Sequence, residues 1–148
     1  MSETLDILTQ EIIKYQAREF TVEIRKGIRG TLGREVIIDK DNKYINNYCL
    51  YLYVNPDHFL FKGCKTDNYY NYDFGFDWHG GATYSDFVYN KKGKVISKCV
   101  GCDYQHSGDE MHNEIYSIAE NTEVLRDFKR LIKFAENKQG WLKGDFYE

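Results

Sequence analysis

The chain has one proline, two methionines and two tryptophans in 148 residues. No stretch reaches the roughly 18 consecutive apolar residues that a membrane-spanning helix needs, so no membrane partner is expected. Neither sign of charge dominates: 20 Lys and Arg stand against 23 Asp and Glu, for a net charge of −3. That balance excludes the strongly basic footprint of proteins that bind a duplex by displacing counterions. Nucleic acid is therefore not expected as the main partner, although Arg25, Lys26, Arg29 and Arg34 form a local basic patch. The opening residues, Met1-Ser2-Glu3-Thr4-Leu5-Asp6, lack the basic start and apolar stretch of a secretory signal. The expectation is a soluble cytoplasmic protein whose four cysteines, Cys49, Cys64, Cys99 and Cys102, are reduced thiols.

Aromatic residues are abundant, with 13 Tyr and 9 Phe. A tyrosine on a strand buries its ring and sends its hydroxyl to water or a ligand. An open tyrosine-rich face could stack bases or line a protein interface, but most of these residues read as ordinary strand formers.

Patterning along the chain predicts an α+β fold in one domain spanning residues 1–148, mainly antiparallel sheet, flanked by an N-terminal and a C-terminal helix. Leu5, Leu8, Ile12 and Tyr15 recur at helical spacing behind Ser2 or Thr4 as caps. From Glu19 the period becomes two, with Phe20, Val22 and Ile24 on one side. Gly27, Gly30 and Gly33 predict turns, and residues 34–39 a second strand. Residues 48–54 form a strand closed by Pro56. Residues 72–79 alternate Phe74, Phe76 and Trp78 against Asp73, Gly75 and Asp77, and predict another strand. Residues 82–89 and 94–104 follow as strands around a Lys91-Lys92-Gly93 turn. A short helix is predicted over residues 113–119. The last helix is capped by Asn121 or Thr122, with Val124, Leu125, Phe128, Leu131, Ile132 and Ala135 on one face.

Two polar, glycine-punctuated segments carry the chemistry. The first is Trp78-His79-Gly80-Gly81-Ala82-Thr83-Tyr84-Ser85; the second is Gly101-Cys102-Asp103-Tyr104-Gln105-His106-Ser107-Gly108-Asp109. Gly80-Gly81 frees the backbone for a close approach. Asp103, His106 and Asp109 recur every three residues, and a carboxylate beside an imidazole fixes its tautomer and raises its basicity. The two segments are expected to form one pocket. His79, His106, Asp103 and Asp109 are its candidate catalytic groups, and Gly80, Gly81, Thr83, Tyr84, Ser85 and Gly108 its candidate ligand-binding groups. Both segments also read as plain turns. Two histidines with flanking acids suit acid–base work or a divalent metal. Cys99 and Cys102 have CxxC spacing with His106 and His112 nearby, but on a strand they face opposite ways, which argues against shared zinc ligation.

The pair His79-Gly80-Gly81-x-Thr83-Tyr84-Ser85 and Gly101-x-Asp103-x-x-His106-x-Gly108-Asp109 resembles a group of small phage and prophage proteins that read HGGLTYS and GFDCAHAGD. The resemblance covers about residues 48–110. Ala82 stands for the usual leucine, Cys102 for phenylalanine, and Tyr104 where cysteine is common. It implies a phage-related setting in the host cytoplasm and a shared site at the matching positions, without an established activity. Two functions follow as expectations. One is an accessory binding protein, a host-defence antagonist that blocks a host protein or sequesters a small nucleotide-like ligand. The other is a small hydrolase or phosphodiesterase with His79 and His106 as acid and base, Asp103 and Asp109 orienting them or holding a divalent metal. Nucleophile-elbow, P-loop and HExxH signatures are absent from the sequence. A homo-oligomer stays open.

Overall fold

A computed structural model describes residues 7–29, 45–62 and 73–137. Five antiparallel strands make one sheet: β1 (Ile7–Gln16), β2 (Phe20–Arg29), β3 (Ile45–Val54), β4 (Tyr84–Tyr89) and β5 (Val95–Asp103). Their order across the sheet is β1-β2-β3-β5-β4. A helical turn, α1 (Phe59–Lys62), follows β3, and the helix α2 (Thr122–Glu136) closes the described chain. The fold is α+β and mostly sheet, as the patterning predicts.

The period-two rule holds where it is cleanest. Val22, Ile24, Leu50, Leu52, Val54 and Val100 are wholly or almost wholly buried on one face of the sheet. Val124, Leu131, Phe134 and Ala135 of α2 complete that core. Asn121 caps α2, its side-chain oxygen accepting the Val124 N–H. The opposite face carries Arg25, Tyr51, Tyr53 and Tyr84. Arg25 pairs with Glu23 at 3.0 Å and lies over the Tyr51 ring. Lys26 of the basic patch is buried.

Several expectations are corrected. The N-terminal helix is instead the edge strand β1. Its pairing with β2 shifts register between Thr9 and Glu11, and Ile12 and Tyr15, opposite Arg25 and Val22, lie on different faces of the sheet rather than on one helical stripe. Cross-strand pairing then outweighs local preference, and Ile12 and Ile13 stay exposed. Gly27 is no turn but lies within β2, paired with Asn47. The strand predicted over 34–39 lies outside the described residues. The segment from Asp73 is not a strand either. Phe74 and Gly75 adopt positive φ of 62° and 79°, and Asp73 ties the turn by accepting the Gly75 N–H on its carboxylate. Phe74, Phe76 and Trp78 are nonetheless buried, with Phe76 against Phe134. The helix expected over 113–119 resolves into two 3-10 turns, Glu110–Glu114 and Ile118–Glu120. Among the described residues, no helix is long and apolar enough to cross a membrane.

His58 offers a stability test away from the site. It is buried, its Nε2 bonds the Ala135 carbonyl oxygen and its Nδ1 accepts the Leu60 N–H, so the neutral ring fits. Burial lowers its pKa from 6.5, against the Ala135 bond and the Glu19 charge, which raise it. A folded pKa below the unfolded value means the unfolded state binds the proton more readily. Stability from this residue is full above about pH 6.5 and falls as pH drops toward the folded pKa. Thermal melts from about pH 7 to about pH 5 should therefore show a smaller decline in His58→Gln than in the native protein. Equal slopes would contradict the burial argument.

Candidate functional site

The β4–β5 hairpin explains why the two motifs meet. Tyr84 opens β4 opposite Gly101 near the end of β5, so the residues before one and after the other leave the sheet at the same edge. The Thr83 N–H donates to the Gly101 carbonyl and holds the two exits together. His79 and His106, 27 positions apart in sequence, then face each other with ring centroids 6.0 Å apart.

Asp109 joins them. Its Oδ1 lies 2.8 Å from His79 Nε2, and its Oδ2 accepts the His106 backbone N–H at 2.8 Å. Burial works against the ionised carboxylate, but the His106 N–H and the His79 ring outweigh it and hold the Asp109 pKa below its ordinary value. His79 Nδ1 lies 3.1 Å from Glu123 Oε2, so both its ring nitrogens face carboxylates. The ring stacks on buried Tyr104 at 4.2 Å. His106 differs. Its side chain is 35% exposed, and its Nδ1 makes no hydrogen bond among the described residues, although Asp109 and Asp103 oxygens stand 3.4 and 3.6 Å away.

Gly80 makes the approach of His106 feasible. With φ of +67°, it would place a Cβ 2.7 Å from His106 Nδ1 and Cε1, so a side chain there cannot coexist with the ring. Gly81, at φ +89°, faces open space, and Gly108, at φ +97°, shapes the turn whose Asp109 N–H bonds the His106 carbonyl. Asp103 accepts from Thr83 Oγ1 at 3.3 Å and from the Gln105 N–H, which puts both residues on the rim.

Two expected ligand-binding residues fall elsewhere. Tyr84 lies on the opposite face of the sheet, its ring edge-on to Tyr51 at 6.1 Å. Ser85 is half-buried within β4, opposite Val100. Gly101 serves packing: a Cβ there would come within 2.3 Å of the Tyr51 ring.

Behind the cluster lies a polar chain that motif reading missed. Because Asn121 Oδ1 is taken by the Val124 N–H, its amide group faces His112 Nδ1 at 2.9 Å. That leaves the His112 proton on Nε2, 3.0 Å from Glu123 Oε1. Glu123 reaches His79 with its other oxygen. Alongside, Tyr104 donates to Asp127 Oδ2 at 2.7 Å, and Arg130 donates to Asp127 Oδ1 at 3.2 Å. Burial, followed by the Cys102 and Asp127 charges, pushes the Tyr104 phenol far above its ordinary pKa and keeps it a donor. The available signal was Asp127 itself, a carboxylate between Val124 and Leu131 on the apolar face of α2.

The CxxC pair takes no part. Cys99 lies opposite Tyr53 and Cys102 opposite Leu50, on different faces, and both are buried. Burial pushes the Cys99 thiol up to about 12 and Cys102 higher, the reverse of a reactive thiolate.

Comparison of the chain with protein-family models, with curated proteins and with solved structures returned no match in any of the three.

Proposed function

We propose that this protein acts by binding, as a phage-type accessory factor, and that His79, His106 and Asp109 with the Thr83–Asp103 rim form its binding centre. The carrying observation is that both nitrogens of His79 are engaged by carboxylates, whereas His106 is the more exposed of the two and its Nδ1 makes no hydrogen bond among the described residues. An acid–base pair needs two imidazoles with a nitrogen free to meet substrate. His106 is the more exposed ring, 35% against 20%, with its unbonded Nδ1 turned inward toward Asp109 and Asp103. In the chain that follows Asp109, Met111 and Tyr116 are 61% and 69% exposed and offer apolar and aromatic surface. A small ligand with a flat ring and polar substituents, nucleotide-like in outline, fits that mixture.

A hydrolase is the second reading, favoured by one observation: Asp109 lies 3.4 Å from His106 Nδ1, as a carboxylate that orients a general base would. One experiment separates the two. Thermal shifts with mono-, di- and cyclic nucleotides should find a class that stabilises the native protein by about 2.7 kcal/mol at a hundredfold excess over Kd. His106→Ala should lose that stabilisation and keep its ligand-free melting temperature. Mass analysis should recover the ligand intact in stoichiometric amount; cleavage over many equivalents would favour the hydrolase. A shift that survives His106→Ala, or no shift with any class, would overturn the binding centre.

A further inference from the structure

We propose that His79, His106 and Asp109 hold a divalent transition-metal ion, with zinc as the simplest candidate. The inference deepens the binding reading and rests on it. It begins with geometry: the ring nitrogens of His79 stand 2.8 Å from Asp109 and 3.1 Å from Glu123, so donor atoms of metal-ligating type are already side by side. His106 supplies an independent observation. Its Nδ1 is buried, makes no hydrogen bond among the described residues, and lies 3.4 and 3.6 Å from carboxylate oxygens of Asp109 and Asp103. A nitrogen so placed lacks what a metal would give it.

The spacing agrees. One donor atom from each of the three residues falls within 4.8 Å of the others. Donors bound to zinc at about 2.0–2.1 Å in a tetrahedron lie about 3.3 Å apart, and the Asp109 carboxylate reaches the two rings with one oxygen each, Oδ1 at 2.8 Å from His79 Nε2 and Oδ2 at 3.4 Å from His106 Nδ1. Two imidazoles and one carboxylate suit zinc and its first-row neighbours, and leave a position for an outside ligand. A second grouping, His79, Glu123 and Asp127, also lies within reach. It is the poorer choice because Asp127 is already bonded by Tyr104 and Arg130. Glu123 fits better behind the metal, orienting His79 through Nδ1 as carboxylates orient ligating histidines. A metal here would also explain how an acid-rich cluster receives a nucleotide-like ligand: the ion offers the phosphate a positive partner.

The test is a titration of the tag-free, metal-stripped full chain with zinc and with cobalt(II). The expected result is one ion per chain, a visible cobalt absorption band and a higher melting temperature. His106→Asn should weaken binding by more than about tenfold, while Asp127→Asn should keep it. His106→Asn is chosen because the ring Nδ1 makes no hydrogen bond among the described residues, so the fold should persist. No stoichiometric ion in the native protein overturns the proposal, as does unchanged affinity in His106→Asn. Loss in Asp127→Asn but not in His106→Asn overturns it in favour of the second grouping. If nucleotide stabilisation still depends on His106 while zinc does not bind, the metal fails and the binding centre stands.

Discussion

Gly80→Ala is expected to weaken binding at the His79–His106–Asp109 cluster by about 10–100-fold, the range seen when ligating side chains lose their orientation, while Gly81→Ala leaves it near the native value. Both glycines have positive φ, so either alanine costs about 1–2 kcal/mol of backbone strain. The stability losses should be alike. The difference lies in what the new methyl meets. At Gly81 it meets open space; at Gly80 it lies 2.7 Å from the His106 ring. The imidazole is the mobile partner in that clash and must swing away from Asp109. Isothermal titration of both variants with zinc, beside their thermal melts, separates site damage from strain. Equal binding in the two would mean that the position of His106 is immaterial.

Asn121→Ala is expected to produce the larger loss of stability, about 2–4 kcal/mol, or on the order of 10 °C in melting temperature. Two costs combine. The Val124 N–H loses its cap, which costs about 1 kcal/mol. His112, wholly buried, loses the partner of its Nδ1, and an unsatisfied buried polar group costs about 1–3 kcal/mol. The same change loosens Glu123, hence His79, so ligand affinity should fall as well. Asn121→Asp keeps an acceptor for the cap and should retain more stability than Asn121→Ala. Denaturant melts of the two variants make the comparison, and an alanine loss below about 1 kcal/mol would mean that the chain from Asn121 to His79 is not coupled.

Most of the sheet was legible from alternation, because one face of β2 and β3 carries a run of buried aliphatic residues while the other carries polar and tyrosine side chains. The Asn121 cap and the apolar stripe of α2 were legible for the same kind of reason. What failed was period reading wherever an irregularity sat inside an element. In β1 the residues at helical spacing, Ile12 and Tyr15, stand on opposite faces of an edge strand whose register shifts between Thr9 and Glu11. Positive φ at Phe74 and Gly75 broke a run that alternates in burial without being extended. At the site, the motif pair gave His79, His106, Asp109 and the Gly80 approach, since a hairpin must return its two ends to one edge. It misplaced Tyr84 because strand parity starts there and turns that side chain to the far face. His112 entered the motif reading only beside the CxxC pair, and Glu123 and Asp127 were out of reach of motifs, because they enter through the packing of α2 rather than through local spacing.

The most direct test of the binding centre is native mass spectrometry of gently purified, tag-free protein, run beside His106→Ala and compared with the denatured masses. The account predicts that the native protein carries extra mass, a divalent ion or a nucleotide-sized molecule with it, and that His106→Ala is bare. A native protein that is bare even after incubation with zinc and nucleotides, or a variant that retains the same extra mass, would contradict it.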